Sequence, residues 1–98
     1  MLVKIHDSYR AVIAICDSDI LGKTFEEGRR QIKVNEHFFG GEEKTEKEVL
    51  KLIEEGSAED YTFNIVGKES VATAIKAGVV TESGIIRIQG VPIALVLL

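Results

Sequence analysis

Residues 10–16 read RAVIAIC, with an apolar side chain at all but the first position. A half-buried strand alternates apolar and polar residues, because successive side chains point to opposite faces. A run without alternation therefore predicts a central strand covered on both faces. Residues 2–6, LVKIH, do alternate. They predict a half-buried strand close enough to pair with the central one as an antiparallel hairpin. Asp7-Ser8 between them offers turn chemistry.

Further along, residues 17–30 mix acids, glycines and the anchors Ile20, Leu21 and Phe25, and read as an irregular connection. Residues 31–34, QIKV, read as a short strand. FFGGEE at 38–43 then breaks the pattern with paired glycines, which predict a bulge or tight turn, or the display of Phe38 or Phe39 at a surface. Thr45-Glu46-Lys47-Glu48 is a capping box, in which hydroxyl and carboxylate satisfy each other's backbone amides. The helix it opens carries Val49, Leu50 and Ile53 on one face, with Leu52 at the edge, and Gly56 reads as its stop. Ser57 to Asp60 offers a second cap for a short helix through Tyr61 and Phe63. Residues 68–77 predict a third helix that groups Val71, Ala74 and Ile75 and ends at Gly78. IIRIQ at 85–89 and IALVLL at 93–98 flank Gly90-Val91-Pro92 and read as a second hairpin. Strands at both ends with helices between predict one α+β domain over residues 1–98: a mostly antiparallel or mixed sheet of about five strands with two or three helices packed on it.

The 98 residues suit one core and leave no room for separate cofactor and substrate domains. Net charge is −4, which argues against a protein that coats nucleic acid. The charge is uneven: residues 36–60 hold nine acids and three bases, while the flanks are each close to neutral. The single cysteine, Cys16, cannot form an internal disulfide, no leader is visible, and the apolar end is far shorter than the roughly 20 residues of a bilayer span. These features predict a cytoplasmic protein with no membrane partner. Two Asn and two Gln against many Lys and Glu lean toward a heat-adapted source.

Gly22-Lys23-Thr24 has the tail of a phosphate-binding loop. Such a loop needs its first glycine five residues before the second, so that bare amides wrap the phosphate. Asp17 stands there, and Asp19 follows. No phosphate site, and no cofactor, is expected. Gly22 reads instead as a turn residue held by Leu21 and Phe25. Cys16 lies in an apolar run without an adjacent base and reads as a buried, inert thiol. His6 and His37 with Asp7, Asp17 or Glu36 match no metal-site spacing, so no metal is expected. Residues 57–78 could be spaced as a helix-turn-helix, but the second helix has almost no base-reading side chains, which argues against DNA. Lys23, Arg29, Arg30 and Lys33 form the only basic cluster, and either meet a partner's anions or pair with Glu26, Glu27 and the acidic block.

The segments LGKTFEEG, FFGGE, NIVGKESVATAIKAG and IRIQGVP, in this order over nearly the whole chain, resemble the small archaeal family called Domain of Unknown Function 424. The family pattern more often has Tyr as the second aromatic of FFGGE and His after GVP. Phe39 and Ile93 stand here, which weakens an enzymatic reading. The resemblance implies an archaeal, cytosolic protein with no established activity, and any link to translation or RNA processing is by association.

The leading expectation is a non-enzymatic adaptor for a protein or ribonucleoprotein partner, with binding residues Lys23, Thr24, Arg29, Arg30, Phe38, Phe39, Gly40, Gly41 and Glu42. A small enzyme would gather Lys23, Thr24 and Glu42 in a pocket between the glycine-rich loops. A structural homodimer would pair IALVLL as an edge strand across a two-fold axis.

Overall fold

The computed structural model describes residues 1–7 and 9–97. It is an α+β fold, as expected, with more strands than the sequence revealed. Strands β1 (Leu2–His6) and β2 (Val12–Cys16) form the predicted antiparallel hairpin, with Leu2 opposite Cys16 and His6 opposite Val12. In the expected Asp7-Ser8 turn, Ser8 lies outside the described residues. The main sheet has six strands in the order β5 (Glu42–Glu43), β1, β2, β6 (Thr62–Val66), β8 (Val91–Val96) and β7 (Ile86–Ile88), and a separate hairpin pairs β3 (Thr24–Glu27) with β4 (Arg30–Lys33).

Ile13, Ala14, Ile15 and Cys16 are fully buried, so β2 does lie under two layers, as expected. One layer is helical. Val49 and Ile53 of α2 (Glu46–Ala58) and Val71 and Ala74 of α3 (Lys68–Lys76) pack on Val3, Ile13, Ile15, Phe63 and Ile65. The other layer was not foreseen. The β3–β4 hairpin and a short helix α1 (Glu36–Phe39) cover Ala14, Cys16 and Val66 with Phe25, Ile32, Val34, Phe38 and Phe39. Residues 17–30 are therefore not an irregular connection. Phe25 faces Ile32 across the hairpin, both turned to the sheet, and Gly28 (φ 62) supplies the left-handed turn residue.

The capping box forms as read: Thr45 N–H donates to Glu48 Oε1 at 3.0 Å, and Glu48 N–H donates to Thr45 Oγ1 at 3.2 Å. Gly56, however, does not stop the helix, which continues to Ala58. A Cβ at Gly56 would lie 2.7 Å from the Phe63 ring and 3.2 Å from Tyr61. The glycine is there so that the helix can lie close on the sheet. The short helix expected through Tyr61 and Phe63 is instead β6 (Thr62–Val66), parallel to β2 with Val12 opposite Thr62 and Cys16 opposite Val66. The helix-turn-helix reading of 57–78 falls with it, since a buried strand occupies its middle.

The turn expected at Gly90-Val91-Pro92 begins one residue earlier and is one residue shorter. Gln89 (φ 51) and Gly90 (φ 77) make the turn, and Val91 and Pro92 open β8 (Val91–Val96). β8 pairs with β7 (Ile86–Ile88) over residues 91–93 and with β6 over residues 93–96, so within IALVLL only Ile93 has a strand on both sides, and residues 94–96 keep one edge unpaired among the described residues, as expected of that run. Leu98, the last residue of that run, lies outside the described residues. In α3, Val71 and Ala74 are buried as expected, but Ile75 is 40% exposed, and Ser70 and Thr73 are buried instead. Gly78 (φ 80) ends the helix as read.

Candidate functional site

The segment that resembled a phosphate loop is closed by its own hydrogen bonds. Ile20 N–H donates to Asp17 O, Gly22 N–H to Val34 O at 2.7 Å, and Lys23 N–H to Ile20 O at 3.0 Å. Gly22 has φ 85, and Leu21 and Phe25 pack into the second core layer, so the local turn reading holds. Asp17 has a different task. Its side chain is buried, and its carboxylate accepts from Glu69 N–H (3.1 Å), Ser70 N–H (2.8 Å) and Ser70 Oγ–H (2.7 Å). The N-terminus of α3, where amides and helix dipole favour an anion, is thus filled by an internal carboxylate. The helix needs this remote cap because its own N-cap residue is Gly67, which has no side chain. Gly67 (φ 115) is required twice over, since a Cβ there would collide with Asp17 Cγ.

The basic cluster sits on the β3–β4 hairpin. Lys23, Arg29, Arg30 and Lys33 are all exposed. The ion pairs of the structure join other residues: Met1–Glu43, Lys44–Glu42, Lys51–Glu55, Lys76–Glu46 and Arg87–Glu82. The two acids best placed to neutralise the cluster turn elsewhere. Glu26 accepts from the Gln31 side chain. Glu27 lies opposite Arg30 in register, yet its Oε1 accepts from Gln89 N–H at 2.9 Å. Gln89 Oε1 in turn accepts from Glu26 N–H at 3.1 Å. This reciprocal clasp ties the hairpin to the β7–β8 turn and leaves the four cations without an ion-pair partner among the described residues.

The other expected site residues are structural. Phe39 is buried in the second layer. Phe38 is half-buried, with its ring stacked on His6 at 4.6 Å and 14° and edge-on to Phe39. Asn35 caps α1 by accepting from Phe38 N–H at 2.7 Å. Gly40 N–H closes the helix on Glu36 O. A Cβ on Gly41 would collide with Val3 O, so the glycine pair makes the close link that lets β5 (Glu42–Glu43) lie against β1. Glu42 pairs with Lys44 at 3.5 Å. The cavity beside Glu42, about 390 Å³, is lined by Val3, Lys4, Ile5, Gly41, Glu42 and Lys44, and Lys23 is not among them. Thr24 is exposed at the start of β3. The structure therefore brings Lys23, Thr24, Arg29 and Arg30 together on one hairpin, and does not join them to Glu42.

Burial, with the Asp17 charge second, pushes the Cys16 thiol up to about 11. That suits the inert-thiol reading. His6 Nε2 lies 2.9 Å from Phe38 O, in a structural role. Among the described residues, no three of His, Cys, Asp and Glu are grouped to hold a metal ion. Also among them, no helix is long and apolar enough to cross a membrane.

Two features had only faint signals in the sequence. Asp17 directly after an apolar strand could have been matched to a helix lacking its own cap. Ile86, Leu95 and Leu97 remain 50%, 56% and 69% exposed, and within the uniformly apolar IALVLL run nothing marked Leu95 and Leu97 as the exposed positions.

The profile of a family described as protein of unknown function (DUF424) matches residues 6–98. The crystal structure of an uncharacterized conserved protein from Methanopyrus kandleri superposes with a TM-score of 0.84, at 27% identity, covering 98% of this chain and 90% of that one. A search of curated proteins gives no match.

Proposed function

The chain belongs to the DUF424 family of proteins of unknown function, and we propose that it is a non-enzymatic binding module that docks on a protein or ribonucleoprotein partner through the β3–β4 hairpin. The observation that carries this reading is the free charge of Lys23, Arg29, Arg30 and Lys33. In a chain of net charge −4, an exposed basic cluster would ordinarily be matched by neighbouring acids. Here Glu26 and Glu27 accept from Gln31 and Gln89 and, among the described residues, form no ion pair with the cluster, whose four cations outnumber these two carboxylates. Unmatched surface charge steers association with a partner of opposite sign and sets its orientation.

Support for the binding class also comes from the polar groups an enzyme would use. Asp17 is committed to α3, and the Cys16 thiol is buried and held neutral. An archaeal, cytoplasmic setting and a place in translation or RNA processing fit the family resemblance and a basic contact surface, and belong to this proposal. The exposed Ile86, Leu95 and Leu97 favour a second reading, self-association through the main sheet. Sedimentation across a concentration series separates it from the first.

The test is a comparative pull-down from a lysate of the source organism, with wild type and a triple variant, Arg29→Glu, Arg30→Glu and Lys33→Glu, each with and without RNase. Partners held by the wild type and lost by the triple variant support the reading. Loss on RNase treatment assigns the partner to a ribonucleoprotein. A partner set equal in both proteins rejects the hairpin as the docking surface.

A further inference from the structure

We infer that the outer edge of β4 accepts an extended acidic segment of a partner protein as a third strand of the hairpin sheet, an inference that rests on the hairpin being the docking surface. The register fixes which main-chain groups are free. Val34 N–H donates to Lys23 O on the β3 side. Main-chain groups alternate in direction along an antiparallel strand, so Arg30, Ile32 and Val34 bond toward β3, and Gln31 and Lys33 point away. β4 has β3 as its strand partner and none on its other side among the described residues. The β3 edge is not equivalent, because its outward Glu26 N–H is already taken by Gln89. The β3 edge thus has one of its outward amides occupied, while the β4 edge has no backbone partner other than β3 among the described residues.

An open edge is a template for strand addition, and main-chain hydrogen bonds supply its affinity. The side chains beside it specify the occupant. Lys33 on the outer face of the edge and Arg29 in the turn have no ion-pair partner among the described residues, so acidic side chains are selected on that face. Ile32 is half-buried on the sheet-facing side, so apolar residues at alternate positions would extend the layer that Phe25 and Ile32 begin. The occupant is an extended peptide alternating Glu or Asp with Val or Ile. Single-stranded RNA fits this edge less well. Its recognition relies on aromatic platforms, and the hairpin's one aromatic, Phe25, is turned into the core.

The experiment titrates the isotope-labelled full chain with a capped synthetic peptide of alternating Glu and Val, and follows amide hydrogen exchange. The expected result is slowed exchange at Gln31 and Lys33, with the neighbouring helices unchanged. Gln31→Pro, which removes an outward N–H that no strand pairs with among the described residues, should bind about tenfold more weakly than Gln31→Ala, which loses the same side-chain contact to Glu26 but keeps the N–H. Should the proline variant fail to fold, exchange in the wild type decides alone. Peptide binding that is lost in the triple charge variant but leaves exchange at Gln31 and Lys33 unchanged overturns strand addition and leaves the hairpin reading standing. No binding of the peptide, or displacement of it by a mixed-sequence RNA oligonucleotide, overturns the acidic-strand occupant. Failure of the hairpin reading itself shows separately, as equal partner sets for wild type and triple variant in the lysate comparison.

Discussion

Replacing Asp17 by Ala removes the acceptor for three donors at the start of α3. Ser70 N–H and Oγ–H lie 2.8 and 2.7 Å from Oδ1, and Glu69 N–H lies 3.1 Å from Oδ2. Ser70 is fully buried, so water does not replace the lost partner. The hydroxyl can turn back on its own helix, as Thr73 does onto Glu69 O. The two amides cannot. A lost cap costs about 1 kcal/mol, up to about 2, and each buried donor left unsatisfied costs about 1–3 kcal/mol. These overlap, so the expected loss is about 3 kcal/mol, a large part of the stability of a domain this size. At about 4–8 °C per kcal/mol, the melting temperature should fall by roughly 12–24 °C. Asp17→Asn keeps one acceptor oxygen and should lose about half as much. Urea unfolding followed by circular dichroism measures both. Asp17→Ala and Ser70→Ala combined should show a coupling of about 1 kcal/mol in a double-mutant cycle. If Asp17→Ala and Asp17→Asn both stay within about 0.5 kcal/mol of wild type, the carboxylate does not hold the helix and the reasoning fails.

Gly56→Ala gains about 1 kcal/mol of helix propensity but places a Cβ 2.7 Å from the Phe63 ring. Overpacking of this kind costs about 1–3 kcal/mol, so a net loss in urea unfolding is expected, and a gain would contradict the close contact. Cys16 has its folded pKa raised from 9.0 to about 11 by burial. The neutral thiol therefore contributes stability that is complete below pH 9 and drains away as pH rises toward 11, by about 2–3 kcal/mol in all. Cys16→Ala should lose that alkaline slope, and in the wild type a thiol reagent at neutral pH should label only as fast as the protein opens. Reversing Arg29, Arg30 and Lys33 to Glu should change unfolding free energy by no more than about 0.5 kcal/mol per site, since all three are exposed without partners. A larger loss, measured by urea unfolding, would show that they serve the fold.

What could be read from the sequence followed the range of the forces involved. RAVIAIC announced a doubly covered strand because burial on both faces dictates the side chain at each position, and the Thr45–Glu48 box is closed by residues three apart. TFNIV was misread because Gly56 and Ser57 mimic a helix stop and a new cap, while the strand that pairs with residues 62–66 lies at residues 12–16. Gly56 looked like a terminator since glycine serves equally where a helix must lie close on a ring. The candidate site was half legible. The basic cluster was visible, but its lack of ion-pair partners depends on Gln89, which takes Glu27 across 62 positions of sequence. Phe38 and Phe39 looked available for contact because α1, a single turn capped by Asn35, carries no periodicity to show which face is buried.

Photo-crosslinking tests the docking surface most directly. A crosslinking residue at position 29, in the hairpin turn, is compared with one at position 51, on the exposed side of α2, in the lysate of the source organism. The hairpin account predicts defined covalent adducts from position 29 that vanish when Lys33→Glu and Arg30→Glu are added, and none from position 51. Equal adducts from the two positions, or adducts from position 29 that survive charge reversal, would contradict it.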